Sequence, residues 1–508
     1  MKATQKGIFN MLYGALGQLV LIVFSVATPI LVIEHYGSEV NGLLHSTEQI
    51  FSYLLLLEAG IGYASLQALY KPVAEQDQRE ISAIMSATRL YYNRTGVFYV
   101  IAILAFAFLY PVLVKNSLPY FLVVGVVLFG GMGGCINYFY QGKYILLMQA
   151  EGYTYVTQKI NILVNILINA SKIALLLLGF DVLAVQISFF VMQIVRAVLY
   201  HFYIRKHYRN INFQEKPDFQ AVSQKNAVFI HQVSYMVFSS TDVLMLTFLT
   251  QDLKLVSVYT IYNMAVTALL ALVQTISGGF DFKLGQMYAM DRDQYNRLYH
   301  VFEMFHMVQI YAVMTALYYV YLPFVSLYTH NITDVNYVNR LYPLLFVIIP
   351  LLSHGRTAAN SGITFAGHFE QTKKHAILEA TINLSVSIAG ILLLGLPGAL
   401  VGTITASLYR TAAMIHYYYR HISPDSIWRT VRRWLASFAT FAALVLLKNA
   451  IAVPEDNYLH VFLAAIASGA AFLVIYSAVQ LLVNPKERTM IFSLLGSILA
   501  GVKAKYGK

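Results

Sequence analysis

The sequence predicts an all-α polytopic membrane protein of about fourteen spanning helices, and three observations carry that prediction. The chain is 58% apolar and only 12% charged, where a soluble domain is roughly 45–50% apolar and about 25% charged. With a mean hydropathy of +0.61, most of its surface must face something other than water. Apolar runs of the length that crosses a hydrocarbon core, about 20 residues at 1.5 Å each, recur along the whole sequence. Between them lie short polar loops whose Lys and Arg content alternates sharply from one loop to the next.

Taken in order, the apolar runs place spans near 8–33, 42–68, 84–113, 118–140, 156–179, 182–204 and 227–250, then 256–281, 300–327, 341–366, 375–395, 398–419, 434–452 and 459–483. The first follows Lys2 and Lys6 as a secretion signal would. It is too long for one and no small-residue cleavage site follows, so it reads as an uncleaved span. Cys135 is the only cysteine, which excludes a disulfide framework and a cysteine-based metal site.

The basic loops fix the orientation. One set, with both chain ends, holds 26 Lys and Arg; the other holds only Lys115, Lys254, Arg340 and Lys448, and five cations fall inside spans. The positive-inside rule then puts both termini in the cytoplasm and an even number of spans between them. The net charge of +11 is thereby an orientation signal, and no nucleic-acid partner is needed to explain it.

No loop is long enough to fold as a domain. The longest, about 205–226, is charged and reads as a linker between two halves. A shift of 216 residues supports that division: LLLLGFDVLAV (175–185) falls on ILLLGLPGALV (391–401), Gly179 on Gly395, Gly62 on Gly278 and Glu58 on Gln274. Six helices per repeat preserve orientation, giving two parallel-repeat six-helix lobes related by an axis along the membrane normal. The expected organisation is an N-terminal lobe over 1–206, a linker over 207–226, a C-terminal lobe over 227–420, and two additional helices with a tail over 421–508.

Nearly every span of the two lobes carries a polar stripe at helical spacing, as a helix facing water would. The first has Asn10, Gly14, Gln18, Ser25 and Thr28, and the fifth Asn161, Asn165, Asn169 and Lys172. The seventh has Gln232, Tyr235, Ser239 and Asp242, and the tenth Ser353, Arg356, Asn360 and Thr364. The last two spans show no charged stripe. Ser, Thr and Asn often only glue helices together, but ionised groups at bilayer depth cost about 2.5–3.5 kcal/mol each even on the lenient insertion scale. Arg94, Lys172, Arg196, Arg356 and Arg410 lie in spans, against Glu58, Asp242 and Glu379. Five cations cannot all pair with three anions, so a hydrated, net-positive cavity between the halves is expected. Such a chamber suits an anionic, hydroxyl-rich cargo, with phosphate on Arg or Lys and sugar hydroxyls on amides.

The stretch YGSEVNGLLHSTEQIFSYLLLLEAGIGYASLQALYKPVAEQD (36–77) resembles the start of Wzx-type polysaccharide flippases of the multidrug/oligosaccharidyl-lipid/polysaccharide exporter superfamily. Gly37, Asn41-Gly42-Leu43, Glu58-Ala-Gly-Ile-Gly62, Leu69-Tyr70-Lys71-Pro72 and Asp77 carry the likeness, with Asn383 and the Gly395-Pro397-Gly398-Ala399 turn behind them. The resemblance implies two lobes in a V around a central cavity and a cargo of undecaprenyl-diphosphate-linked oligosaccharide, turned from the cytoplasmic to the outer leaflet of a bacterial inner membrane. Spans thirteen and fourteen would border a path for the lipid tail.

Arg94, Lys172, Arg196, Arg356, Asn360 and Arg410 are the candidate substrate-binding residues, Arg356 foremost. Glu58, Asp242 and Glu379 are candidates for coupling or gating. No cofactor or metal is expected, and a proton or sodium gradient is the candidate energy source. Membrane lipids and polysaccharide polymerase machinery are the other candidate partners, and the architecture works as a monomer. A cation-coupled multidrug exporter and a lipid II flippase of the same superfamily remain alternatives. A membrane polymerase or ligase is a remoter one, because every outer loop is short. No G-x-x-x-x-G-K-[ST] run or H-E-x-x-H motif occurs, and Asp291-Arg292-Asp293 in a short loop reads as a solvated charge run rather than a sugar-transferase motif.

Overall fold

A computed structural model describes residues 3–222, 233–234, 236, 241–448, 453 and 455–489, and these residues form helices and short connections. The first group comprises α1 (Ala3–Tyr36), α2 (Ser38–Glu75), α3 (Gln78–Leu113), α4 (Tyr120–Ile136), α5 (Gly142–Ala150), α6 (Thr154–Leu177) and α7 (Val182–His207). A π-helical turn at Asn137–Gln141 joins α4 to α5, so this span runs on to Ala150 rather than stopping near 140. The second group comprises α8 (Leu253–Met290), α9 (Arg292–Tyr328), α10 (Tyr342–Gly355), α11 (Thr357–Phe365), α12 (Phe369–Leu394) and α13 (Leu396–His421). It is followed by α14 (Trp428–Leu447) and α15 (Tyr458–Val483).

Every expected span but the seventh falls on one of these helices; the seventh lies mostly outside the described residues, apart from its end at Thr241–Thr250. Among the described residues, ten helices are long and apolar enough to cross a membrane. The all-α polytopic class predicted from the sequence is therefore the class observed.

Helix ends follow local chemistry. Asp77 accepts from the Arg79 and Glu80 amides at 3.0 Å each, Asp181 from Ala184 at 2.9 Å, and Asn457 from His460 at 2.9 Å. Asp291 caps α9 by accepting from the Gln294 amide at 2.9 Å, which gives the D-x-D its role as a helix start. The repeat is visible at the other ends. Gly179 after α6 and Gly395 after α12 both take the left-handed conformation, φ 76° and 65°, which glycine adopts without a Cβ penalty. Asn41 Nδ2 donates to Ser257 Oγ at 2.8 Å, and these two residues are themselves 216 apart. The Gly62–Gly278 and Glu58–Gln274 matches involve side-chain positions outside the described residues.

The chain divides into two compact units. The first holds Met1–Met264 with Asn331–Val335 and Ser387–Ala399; the second holds Ala265–His330, Asn336–Val386 and Leu400–Lys508. In the first unit, Asp334 takes up the α2 N-terminus, accepting from Ser38 N at 2.9 Å and Ser38 Oγ at 2.7 Å. Next to it α2 meets the start of α8 backbone to backbone: a Cβ on Gly42 would run into the Leu253 carbonyl. The expected linker is laid along α3, with Asn212 N donating to Ser82 Oγ at 3.1 Å and the Arg89 guanidinium 5.0 Å from the Phe213 ring.

The first unit is layered along its helices. One apolar cluster packs Leu43, Tyr110, Val123, Leu176 and Val182. Another packs Leu69, Met85, Leu147, Tyr200 and Tyr208. On α2, α3, α4–α5 and α7 the residues between these two clusters are the ones that line a cavity.

Candidate functional site

That cavity holds about 640 Å³ and is lined by α2, α3, α4, the π turn, α6 and α7, all within the first unit. Its position follows from the layering. Lying between the two apolar clusters, it sits mid-way along helices that are long enough to span a bilayer. Two of the five span cations point to it, Lys172 from α6 and Arg196 from α7, together with Gln186, Gln193 and Asn169.

Neither cation is saturated. Arg196 donates from Nη2 to Asn165 Oδ1 at 3.2 Å, while its buried Nε has no hydrogen-bond partner among the described residues. Lys172 has no hydrogen bond or ion pair there either. Its electrostatic counterpart is Glu48, which lines the same cavity. The Glu48 side chain lies 3.3 Å from His45 Nδ1. The cavity wall thus carries two cationic side chains, Lys172 and Arg196, and one carboxylate, Glu48. Glu48 falls inside the expected second span, 42–68, so the carboxylates within spans number more than the three set against the five cations. Its spacing of four from Ser52, which shares the cavity lining, is the signal that would have found it.

The α6 stripe divides between binding and glue. Asn169 Oδ1 accepts from Thr28 Oγ1 at 3.1 Å and its Nδ2 donates to the Asn165 carbonyl at 2.8 Å. Asn165 is spent on Arg196.

Arg356 and Arg410 form a separate cluster within the second unit. Arg356 ends α10 at a break in the expected tenth span, with φ −84° and ψ 3°. Its Nη2 meets Glu379 Oε1 at 2.7 Å, and its Nη1 reaches the Ser407 carbonyl and Thr411 Oγ1 at 3.4 Å each. Arg410 Nε lies 3.6 Å from the other oxygen of the same carboxylate, and its Nη1 reaches the Thr372 carbonyl at 3.4 Å. All three side chains are buried. Two guanidiniums thus share one carboxylate. Asn360, one turn on, is half-buried.

The remaining candidates stand apart. Arg94 is exposed on α3 with no hydrogen bond or ion pair among the described residues. Asp242 is buried and accepts from the Tyr259 hydroxyl at 3.3 Å. Glu58, with Asn10, Gln232, Tyr235 and Ser239, has its side chain outside the described residues.

Sequence reasoning missed one large ionic cluster. Arg433, which the sequence places among the loop cations, lies inside α14 and is fully buried. It pairs with Glu303 of α9, with Glu487 at 2.6 Å and with Asn484 Oδ1 at 2.8 Å, and its Nη1 stands 3.1 Å from His300 Nδ1. His300 Nε2 in turn meets Asp425 at 2.9 Å, and Arg429 holds the other Asp425 oxygen at 2.9 Å. The helix begins earlier than the expected thirteenth span, at Trp428 rather than 434, and so takes Arg433 out of the loop and into the packed interior. The basic run RTVRRW masks the one arginine that turns inward.

No family model and no curated relative matches this sequence, but solved structures do. The lipid II flippase MurJ, in an inward closed conformation, is similar with a TM-score of 0.66 at 15% identity, over 93% of this chain and 99% of that one. An inward-facing multidrug resistance MATE family transporter of the MOP superfamily is similar at 0.57 and 12% identity, over 87% and 99%. A MATE structure in the bent conformation gives 0.55 at 14% identity, over 88% and 96%. At such identities the likeness is one of fold. This chain has the transporter fold shared by those proteins.

Proposed function

We propose that this chain is a flippase that turns an undecaprenyl-diphosphate-linked oligosaccharide from the cytoplasmic to the outer leaflet of a bacterial inner membrane, with both termini cytoplasmic. The observation that carries the reading is the mid-depth cavity of about 640 Å³ with Lys172 and Arg196 on its wall. Among the described residues the ammonium has no hydrogen-bond partner and the guanidinium an open Nε, and such groups are costly to bury. A diphosphate entering the cavity offsets that cost with charge-assisted hydrogen bonds. The lipid II flippase fold supports the same class of cargo, a polyprenyl-diphosphate-linked saccharide, and the Wzx-like stretch at 36–77 supports a polysaccharide precursor. Arg356, the foremost of the sequence candidates, and Arg410 we assign to holding α10, α12 and α13 together through Glu379.

One observation favours multidrug export, the activity named for the MATE structures: the Glu48 carboxylate faces the same cavity and would receive an organic cation. The two readings separate in one experiment. Protein in nanodiscs is melted with undecaprenyl-diphosphate-linked sugars or with lipophilic cations, as wild type and as the Lys172→Gln/Arg196→Gln double variant. Stabilisation by the diphospholipid, lost in the variant, supports the flippase; ligand at about 100-fold over its Kd adds roughly 2.7 kcal/mol to the wild type. A response to cations alone, abolished by Glu48→Gln, overturns it in favour of export.

A further inference from the structure

Arg196 is shared between two chambers. Beyond it from the main cavity lies a second space of about 350 Å³ between α1 and α6, whose polar lining is Gln18, Gln158, Asn161, Asn165 and Arg196, with Leu21, Ile162 and two glycines completing the wall. Arg196 is its one charged lining residue, and the rest of its polar wall is primary amide. A pocket of this size is within the usual range for a small ligand, about 300–1,000 Å³.

The amides are the informative part. Helix-gluing amides bond to the neighbouring helix, as Asn169 does with Thr28. Gln18, Gln158 and Asn161 are half-buried, converge on the chamber, and have no hydrogen-bond partner among the described residues. Each carries two donors and an acceptor. A set of neutral groups that both donate and accept matches a ligand whose hydroxyls do the same, and is a poor match for an acyl chain, which would leave every one of them desolvated. A Cβ at Gly14 would meet nothing within 4 Å, so the wall there has room for a side chain.

We propose that the α1–α6 chamber is a saccharide subsite, with the diphosphate at Arg196 on its threshold and the main cavity beside Lys172. The assignment rests on the flippase reading above. It makes Gln158 and Asn161 determinants of sugar recognition, and Arg196 the point where the two ends of the cargo part.

The test uses the full-length protein in its own host, so that the natural lipid-linked pool is the probe. A diazirine amino acid is placed at Gly14, where the open space admits it, and separately at Ser52 on the main cavity. After irradiation the adducts are read by mass spectrometry. The expected result is a saccharide-bearing adduct at position 14 that falls at least tenfold when Gln158→Leu and Asn161→Leu are added, while capture of the diphosphate lipid at position 52 persists. Acyl-only adducts or none at position 14, with the lipid-linked sugar still captured at 52, overturn the subsite and leave the flippase reading standing. Absence of any diphosphate lipid at both positions overturns both.

Discussion

Arg196 and Arg433 are both arginines inside membrane-length helices, and they have opposite surroundings. Arg433 is fully buried with Glu303, Glu487, Asn484 and His300 around its guanidinium, and Gln480 donates to its carbonyl at 3.1 Å. Arg196 has one amide partner, an open Nε, and a cavity on each side. A buried charge whose donors are all met within the protein holds helices in register. One whose donors are left open beside empty space does less of that holding, and this is the residue to which the proposed function gives the diphosphate. The lesson concerns satisfaction rather than charge: counting cations against anions along the chain does not separate the two cases, because both residues are arginines in spans.

The comparison can be broken at its strongest point first. Arg433→Ala leaves Glu303 and Glu487 buried without their partner, and removing one side of a buried ion pair costs about 3–5 kcal/mol. Thermal melting of the purified variant should show that loss, and replacing Glu303 and Glu487 by Gln in the same chain should recover much of it. A variant as stable as wild type would mean that the cluster holds nothing. Glu379→Gln comes next. It leaves Arg356 and Arg410 facing each other with only hydrogen-bonding groups between them, and a loss of about 2–3 kcal/mol is expected. Were the change instead to abolish cargo stabilisation with the fold unaltered, Arg356 would return to the list of substrate ligands. Smallest of all is Lys172→Gln, which removes a charge that faces a cavity. Its melting point without ligand should stay within about 0.5 kcal/mol of wild type, and a large drop would place Lys172 with Arg433 among the structural cations.

Much of the architecture was legible before any coordinates. Hydropathy located thirteen of the fourteen expected spans on observed helices, because a spanning helix must satisfy its backbone internally and cover itself with apolar side chains. Gly179 and Gly395 mark equivalent helix ends, as the 216-residue shift requires. The site was legible only in part. Lys172 and Arg196 stood out as ionisable residues in apolar runs, and they are the pair brought to one cavity. Arg356 stood out equally, yet its partner Glu379 lies 23 residues on in another helix. Glu48 and Arg433 were hidden in polar and basic runs, where a single inward-facing charge looks like its solvated neighbours.

The sequence by itself determined the all-α class and the order of the helices, and it set the expected orientation and most of the charges to look for inside the membrane. Each of these follows from properties read along one dimension: run length, hydropathy and the alternation of basic loops. Which charges are spent and which remain open was decided only by the tertiary structure. Pairing depends on where helices distant in the chain bring their faces together, and a hydrogen bond that works at 2.7 Å is lost a few ångströms farther out.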